Sequence, residues 1–369
     1  MRLLQKECGK CLRHPFLWIV CIAFGLFQFL SIYTYVGNAG MRKELRQMHV
    51  AVTDEETASP EYESAYADYK KTYGGMYDTL DMRKILEQKE KKSGYEPQGV
   101  WGSWIVRNYD RLQKRVEQIR KTGEGTYAFY PGSWYKLHST LYGKLWKKLI
   151  LQTAVLMILS MLYLMDYERI YKTQDLVLAT TTGKKMMEKK MLAGTLCGLF
   201  YAGLLTVFTL LVFFAAVPFQ NLWHVPVAAC MVAEPRLQMM YPFVTFWRLE
   251  QWRYFLLALV VLVGLLGIIA AVTAAVQLFL QNSYFSFAVL GLLFMGAYLL
   301  AYVQMGNVWD LIRELFNPTV LYATSGGWFM ENDLLLSFAG NEFAVLFCSG
   351  TAAVCLMAVG KRRYHRLEV

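Results

Sequence analysis

Residues 165–194 read MDYERIYKTQDLVLATTTGKKMMEKKMLAG, a polar and basic stretch caught between two uncharged apolar runs. Neither the run before it, 149–165, nor the run after it, 191–217, contains an Asp, Glu, Lys or Arg. An α-helix rises 1.5 Å per residue, so about 20 apolar residues cross the ~30 Å hydrocarbon core of a bilayer. The quoted stretch therefore predicts a loop, 166–190, between two membrane spans.

Runs of the same kind recur along the chain. They mark six spans, at 16–36, 148–165, 191–217, 254–280, 284–303 and 343–360. Lipid offers no hydrogen-bond partner to the backbone, so such spans are helices. The expected fold class is an all-α polytopic membrane protein. The composition, 56% hydrophobic and 18% charged, agrees.

The net charge of +10 would suit a nucleic-acid partner only if it lay on a soluble basic face. Here Lys and Arg flank the spans, where they set topology; membrane lipids are expected as partners and nucleic acid is not. Arg2, Lys6, Lys10 and Arg13 precede the first span. Arg169, Lys172, Lys184, Lys185, Lys189 and Lys190 lie in or beside the loop, and Lys361, Arg362, Arg363 and Arg366 follow the last span in the tail 361–369. Six crossings put these three groups on one side. The positive-inside rule makes that side the cytoplasm, so both termini are expected there, in a multi-pass plasma-membrane protein. Arg236, Arg248 and Arg253 are misfits on the outer side. The first apolar run is too long for a signal-peptide core and has no small-residue cleavage pattern after it, so it is read as retained.

Between the spans the chain changes character. Residues 1–15, MRLLQKECGKCLRHP, put Leu3, Leu4, Cys8, Cys11 and Leu12 within reach of one helical face, which predicts an amphipathic helix on the inner surface ending at Pro15. Residues 37–147 have a soluble composition and are expected to form a helical extracytoplasmic domain. Met41, Leu45, Met48 and Val52 would continue the first span as a helix. Tyr62, Tyr66, Tyr69, Tyr73, Met76 and Leu80 make a second helical stripe, and Trp101, Ile105, Asn108, Tyr109, Leu112, Val116 and Ile119 a third, after a turn at 94–99. A hairpin or small bundle follows. The outer loop 218–253 carries Trp223, Trp247 and Trp252, residues that favour the interface. A turn at 281–283 separates spans four and five, and the outer segment 304–342, broken by Pro318 and Gly326-Gly327, predicts short re-entrant or interfacial helices.

Catalytic chemistry is missing from the pattern. No Gly-Lys pair is followed by Ser or Thr, so there is no phosphate loop, and the five histidines lack ligand spacing. The Cys8-Gly9-Lys10-Cys11 pair has redox or metal spacing but no second pair and no strand-helix context. Trimmed of their ends, the spans hold no Asp, Glu, Lys, Arg or His, which disfavours an ion-coupled carrier. Glycines at 194, 198, 203, 264, 267, 291 and 296 offer close helix approach.

The order of amphipathic N-terminal helix, span, outer domain, span ending in Glu168, inner loop and four further spans resembles the permease subunit of a type-2 ABC exporter. In that family the second span ends near a Glu, a short coupling helix follows, and a small-residue turn leads to a Lys before the third span. Glu168, the segment 171–180, residues 181–183, and Lys189 or Lys190 stand at those positions. The interrupted segment around Asn317-Pro318 is also similar. The long outer insert brings the chain nearer a subgroup of bacterial exporters, several of which are associated with antimicrobial-peptide resistance or sodium export, so the resemblance implies a bacterial cell membrane. The resemblance implies a non-catalytic subunit that binds no cofactor itself. It would work with two ABC ATPase subunits, which carry ATP and Mg, and with a second permease, the same or homologous. Leu176, Val177 and Leu178 would supply apolar contact to the ATPase, Glu168, Lys172 and Asp175 polar contacts or caps, and Tyr171 belongs to the same coupling set. An amphipathic or hydrophobic substrate, such as an antimicrobial peptide or a lipid-like molecule, is the expected cargo. The alternative is a membrane sensor or assembly partner whose outer domain binds a ligand or protein without transport.

Overall fold

Proline 15 and asparagine 282 show how local chemistry divides the apolar runs into helices. The extended His14 and Pro15, which lacks an amide proton and suits a first helical turn, separate α1 (Arg2–Leu12) from α2 (Pro15–Gly37). Gln281 adopts a left-handed conformation (φ 51°) at the end of α7 (Gln251–Leu280). Asn282 then caps α8 (Ser283–Leu300), its Oδ1 accepting from the amides of Tyr284 and Phe285 at 3.1 and 3.2 Å. This computed structural model describes residues 2–38, 64, 67, 71, 75–93, 99–126, 137–173, 183–217, 219, 222–231, 243–303, 308–331 and 338–367.

The remaining helices of eight or more residues are α3 (Met82–Ser93), α4 (Gly99–Thr122), α5 (Ser139–Met165, opening as a π-helix to Leu145), α6 (Gly183–Ala216), α9 (Val308–Leu315) and α10 (Asn341–Leu367). No strand occurs among the described residues, only isolated bridges at Pro226/Glu250 and Thr245/Met330. Six helices, α2, α5, α6, α7, α8 and α10, are long and apolar enough to cross a membrane. Several outrun their sequence boundaries. Helix α6 starts at Gly183 and takes Lys190 into its body, and α7 starts at Gln251.

Helix α5 is the axis of the bundle: 67% of its apolar window is buried, against 11% for α8. It lies closest to α6, and glycine makes that approach. A Cβ on Gly194 would stand 3.0 Å from the Met161 Cα, and one on Gly198 3.1 Å from the Met157 Cα. A Cβ on Gly264 of α7 would meet Leu346 of α10 at 2.9 Å. By contrast a Cβ on Gly203, Gly267, Gly291 or Gly296 would meet nothing within 4 Å among the described residues, so four of the glycines noted in the sequence make no close helix approach there. Between α2 and α5 the buried Gln28 donates from Nε2 to Gln152 Oε1 at 2.7 Å, a polar tie among apolar side chains that sets their register.

At one end of the bundle α3 and α4 form an antiparallel hairpin. Ile105, Asn108, Tyr109, Leu112, Val116 and Ile119 of α4 are buried, as their spacing predicts. Of the tyrosine stripe, Tyr62, Tyr66, Tyr69 and Tyr73 lie outside the described residues; residues 75–78 form a turn, with the Asp78 amide bonded to the Gly75 carbonyl at 3.0 Å, and Met76 and Leu80 join Met82 and Ile85 of α3 against the buried face of α4. Beyond Leu86, α3 is charged, so its apolar signal spans barely one turn. The expected helix over 41–52 lies outside the described residues.

Buried polar contacts fasten this hairpin to the loops between spans. Tyr77 donates to the carbonyls of Ala228 and Phe243, both at 3.1 Å. Arg115 grips Glu124 with both Nη atoms and donates to the carbonyls of Thr245 and Trp247 at 3.3 Å each. Lys89 pairs with the fully buried Glu331. In 304–342, α9 is inside out: Val308, Trp309, Ile312 and Phe316 are exposed, while Asp310 and Glu314 are buried, and Arg313 lies 3.2 Å from Asp310. An outward apolar face of that kind suits hydrocarbon rather than water.

Beside the hairpin, His138 is enclosed by Tyr142 and Tyr254, with ring centroids 4.6 and 4.9 Å away. Its Nδ1 lies 3.1 Å from Gln251 Oε1, and Gln251 in turn donates to Cys230. Burial drives its pKa down from 6.5 to about 4, against the opposing pull of the Gln251 bond.

Two outcomes follow from these packings. Gly198→Ala forces α5 and α6 apart and lowers the apparent Tm of the purified protein, whereas Gly203→Ala leaves it unchanged or raises it slightly, since alanine is the better helix former. His138, neutral in the folded protein, contributes stability above pH 6.5 that is lost as pH falls toward about 4, at most about 3 kcal/mol. The drop in apparent Tm between pH 7.5 and 5 should therefore be smaller in His138→Gln than in the wild type.

Candidate functional site

At the opposite end of the bundle α5 runs into the loop that opened the sequence. After Asp166, a single helical turn at Tyr167–Ile170 carries Glu168 back under the bundle. Lys172, in a left-handed conformation (φ 55°), closes it, and the Thr173 amide donates to the Glu168 carbonyl at 2.8 Å. Tyr171 and Lys172 thus lie in an exposed turn and not in a helix, while Tyr171 stacks its ring 4.6 Å from that of Tyr167. Asp175, Leu176, Val177 and Leu178 lie outside the described residues.

Glu168 itself is buried, at 6% exposure. Lys190 of α6, at 4%, forms an ion pair with its Oε2, and Lys10 of α1 approaches its Oε1 to 3.3 Å. Lys10 also holds Glu7 Oε1 at 2.6 Å and sits 4.4 Å above the Tyr167 ring, a cation–π contact. Two carboxylates and two ammonium groups from three elements therefore balance one another. Asp166 adds a link to the next span, its Oδ2 accepting from the Ser283 amide at 3.3 Å. The same end gathers the final span, since Lys361 of α10 pairs with Glu188 of α6.

Of the two lysines that stood as candidates before the third span, Lys190 is buried and Lys189 exposed. The helix explains the choice, because consecutive residues diverge by about 100° and only one can face α5. Glu7 and Lys10 were not among the expected site residues. A signal was nonetheless present: Glu7 falls between Leu4 and Cys11 on the apolar stripe of α1, where an acid is buried and needs a cation.

The cysteine pair of α1 serves packing. Cys11 is buried, Cys8 is partly buried, and Cys197 of α6 lies against them, its Sγ 3.8 Å from the Cys8 carbonyl. Burial raises the Cys8 thiol to about 11, so it stays protonated and a poor nucleophile. Among the described residues no group of three or more His, Cys, Asp or Glu is placed to hold a metal ion.

The cluster ties α1, the turn that ends α5 and the body of α6 into one unit. No protein-family model, curated protein or solved structure matches the chain.

Removing one member of a buried ion pair strands the other charge, at a cost of about 3–5 kcal/mol. Lys190→Met should lower the apparent Tm sharply. The double variant Lys190→Met/Glu168→Gln should recover much of that loss, because the orphaned charge is gone; a double variant as unstable as the sum of the two single changes would mean that Glu168 and Lys190 do not act as a pair.

Proposed function

We propose that this chain is the permease subunit of an ATP-driven ABC exporter, coupled through residues 166–190 to ATPase subunits on separate polypeptides. The observation that carries the reading is the buried cluster of Glu7, Lys10, Glu168 and Lys190. Here the charges join α1, α5 and α6 where the loop leaves the bundle, so motion of the loop is passed to three helices together.

In this reading the chain contributes no catalytic group. Two ATPases bind ATP and Mg and close on nucleotide; Asp175, Leu176, Val177 and Leu178 meet them; and a second permease, the same or homologous, completes the path for an amphipathic or hydrophobic substrate. The loop end of the bundle is cytoplasmic and the α3–α4 hairpin extracytoplasmic, in a cell membrane. Each ammonium of the cluster faces a carboxylate, so Glu7, Lys10, Glu168 and Lys190 can shift together without stranding a charge among them.

The test is affinity purification of the chain from native membranes. An ATPase subunit and vanadate-sensitive ATP hydrolysis are expected to copurify. Leu176→Arg should insert and fold normally yet lose both. Purification that brings down no nucleotide-binding partner would overturn the reading and leave the chain as a membrane receptor or assembly partner.

A further inference from the structure

Helix α5 opens with three lysines, Lys144, Lys147 and Lys148, and holds no Asp or Glu anywhere between Ser139 and Met165. They stand at the hairpin end of the bundle, opposite the basic loop, where the positive-inside rule gives no reason for cations beside a span. Lys147 and Lys148 are half-buried, and none of the three forms an ion pair among the described residues.

Lys148 points to α2. Its Nζ donates to Ser31 Oγ at 3.1 Å and lies 5.3 Å from the centre of the Phe27 ring. Ser31 comes six residues before Gly37, where α2 ends, so the ammonium sits about 9 Å inside that helix end. A hydroxyl and a ring face orient an ammonium without neutralising it, and α2, like α5, has no acid to offer. An unbalanced charge at the edge of hydrocarbon is costly. Lys144, four residues earlier and exposed, adds a second cation one turn nearer the start of α5. Lys147 is turned to a different flank, its Nζ 5.2 Å from the centre of the Tyr322 ring.

We propose that Lys144 and Lys148 bind the phosphate of an anionic phospholipid in the leaflet on the hairpin side. Beneath the two cations the surface is apolar, with Phe27 and Leu30 of α2 and Leu151 of α5 all exposed. Cations set above exposed apolar side chains of two membrane-crossing helices match a lipid, headgroup above and acyl chains below. Two ammonium groups without an acid favour a net-negative headgroup over a zwitterionic one, whose own cation they would repel. The inference is independent of the transport reading, since it requires neither an ATPase nor a substrate path.

The test is native mass spectrometry of the full chain in neutral detergent, titrated with phosphatidylglycerol or with phosphatidylcholine of the same chain length. Two lysines at the membrane surface predict that the first phosphatidylglycerol binds about 30-fold more tightly than phosphatidylcholine. Lys148→Gln should reduce that preference about fivefold, and Lys144→Gln/Lys148→Gln should remove nearly all of it. Lys147→Gln, which deletes an equal charge on the other flank, should bind as the wild type does. Inorganic phosphate should not displace the lipid, because it has no chains to lie against α2. The proposal fails if the wild type shows no preference, if the double variant keeps it, if Lys147→Gln loses as much as Lys148→Gln, or if inorganic phosphate competes as well as the lipid itself.

Discussion

Everything at the loop end of this protein depends on keeping Glu168 charged and satisfied away from water. A buried carboxylate without a partner is costly, so once Glu168 turns under α5 the rest of that end is constrained. Lys190 must face inward, which fixes the rotation of α6 about its axis. Lys10 must reach the same oxygens, which presses α1 against α5 and α6 and places Cys8 and Cys11 on Cys197. Glu7 then completes the pairing. One buried charge thus orients three helices.

The hairpin end obeys a similar logic with different groups. Arg115 and Glu124 form a buried bidentate pair whose spare donors reach the carbonyls of Thr245 and Trp247, so the α3–α4 hairpin docks through backbone oxygens that have no other described partner in a ladder. Between these two polar ends lies an apolar middle in which specificity comes from shape. The close contact of α5 and α6 exists because Gly194 and Gly198 have no Cβ, and the open glycines at 203, 267, 291 and 296 show that small residues alone do not select a partner. In lipid there is little hydrophobic gain from pressing two apolar helices together, so close van der Waals contact and the Gln28–Gln152 bond carry the choice.

Legibility in the sequence followed the length of each signal. Spans of some twenty uncharged residues, the buried stripe of α4 and the turn at Gln281–Ser283 were all readable, because each rests on local periodicity or capping. Helix α3 was missed because its apolar positions, Met82, Ile85 and Leu86, occupy barely one turn before charged residues take over. The tyrosine stripe runs by spacing through Leu80, and the Gly75–Asp78 turn interrupts it before Leu80 joins the cluster on α4; its four tyrosines lie outside the described residues. At the candidate site, Glu168 and a lysine beside the third span were visible as positions, and Glu7 and Lys10 were not.

By itself the sequence determined the class, an all-helical chain with six apolar helices, since uncharged runs of that length have no other stable form in lipid and backbone groups must be satisfied within each helix. It also determined where polar segments interrupt them. Only the tertiary structure decided which polar groups meet. Glu168 and Lys10 are 158 residues apart in the chain, and Arg115 and Thr245 are 130 apart. Such pairings depend on helix rotation and on which glycines face a neighbour, quantities fixed by packing across the bundle and carried by no local stretch of residues.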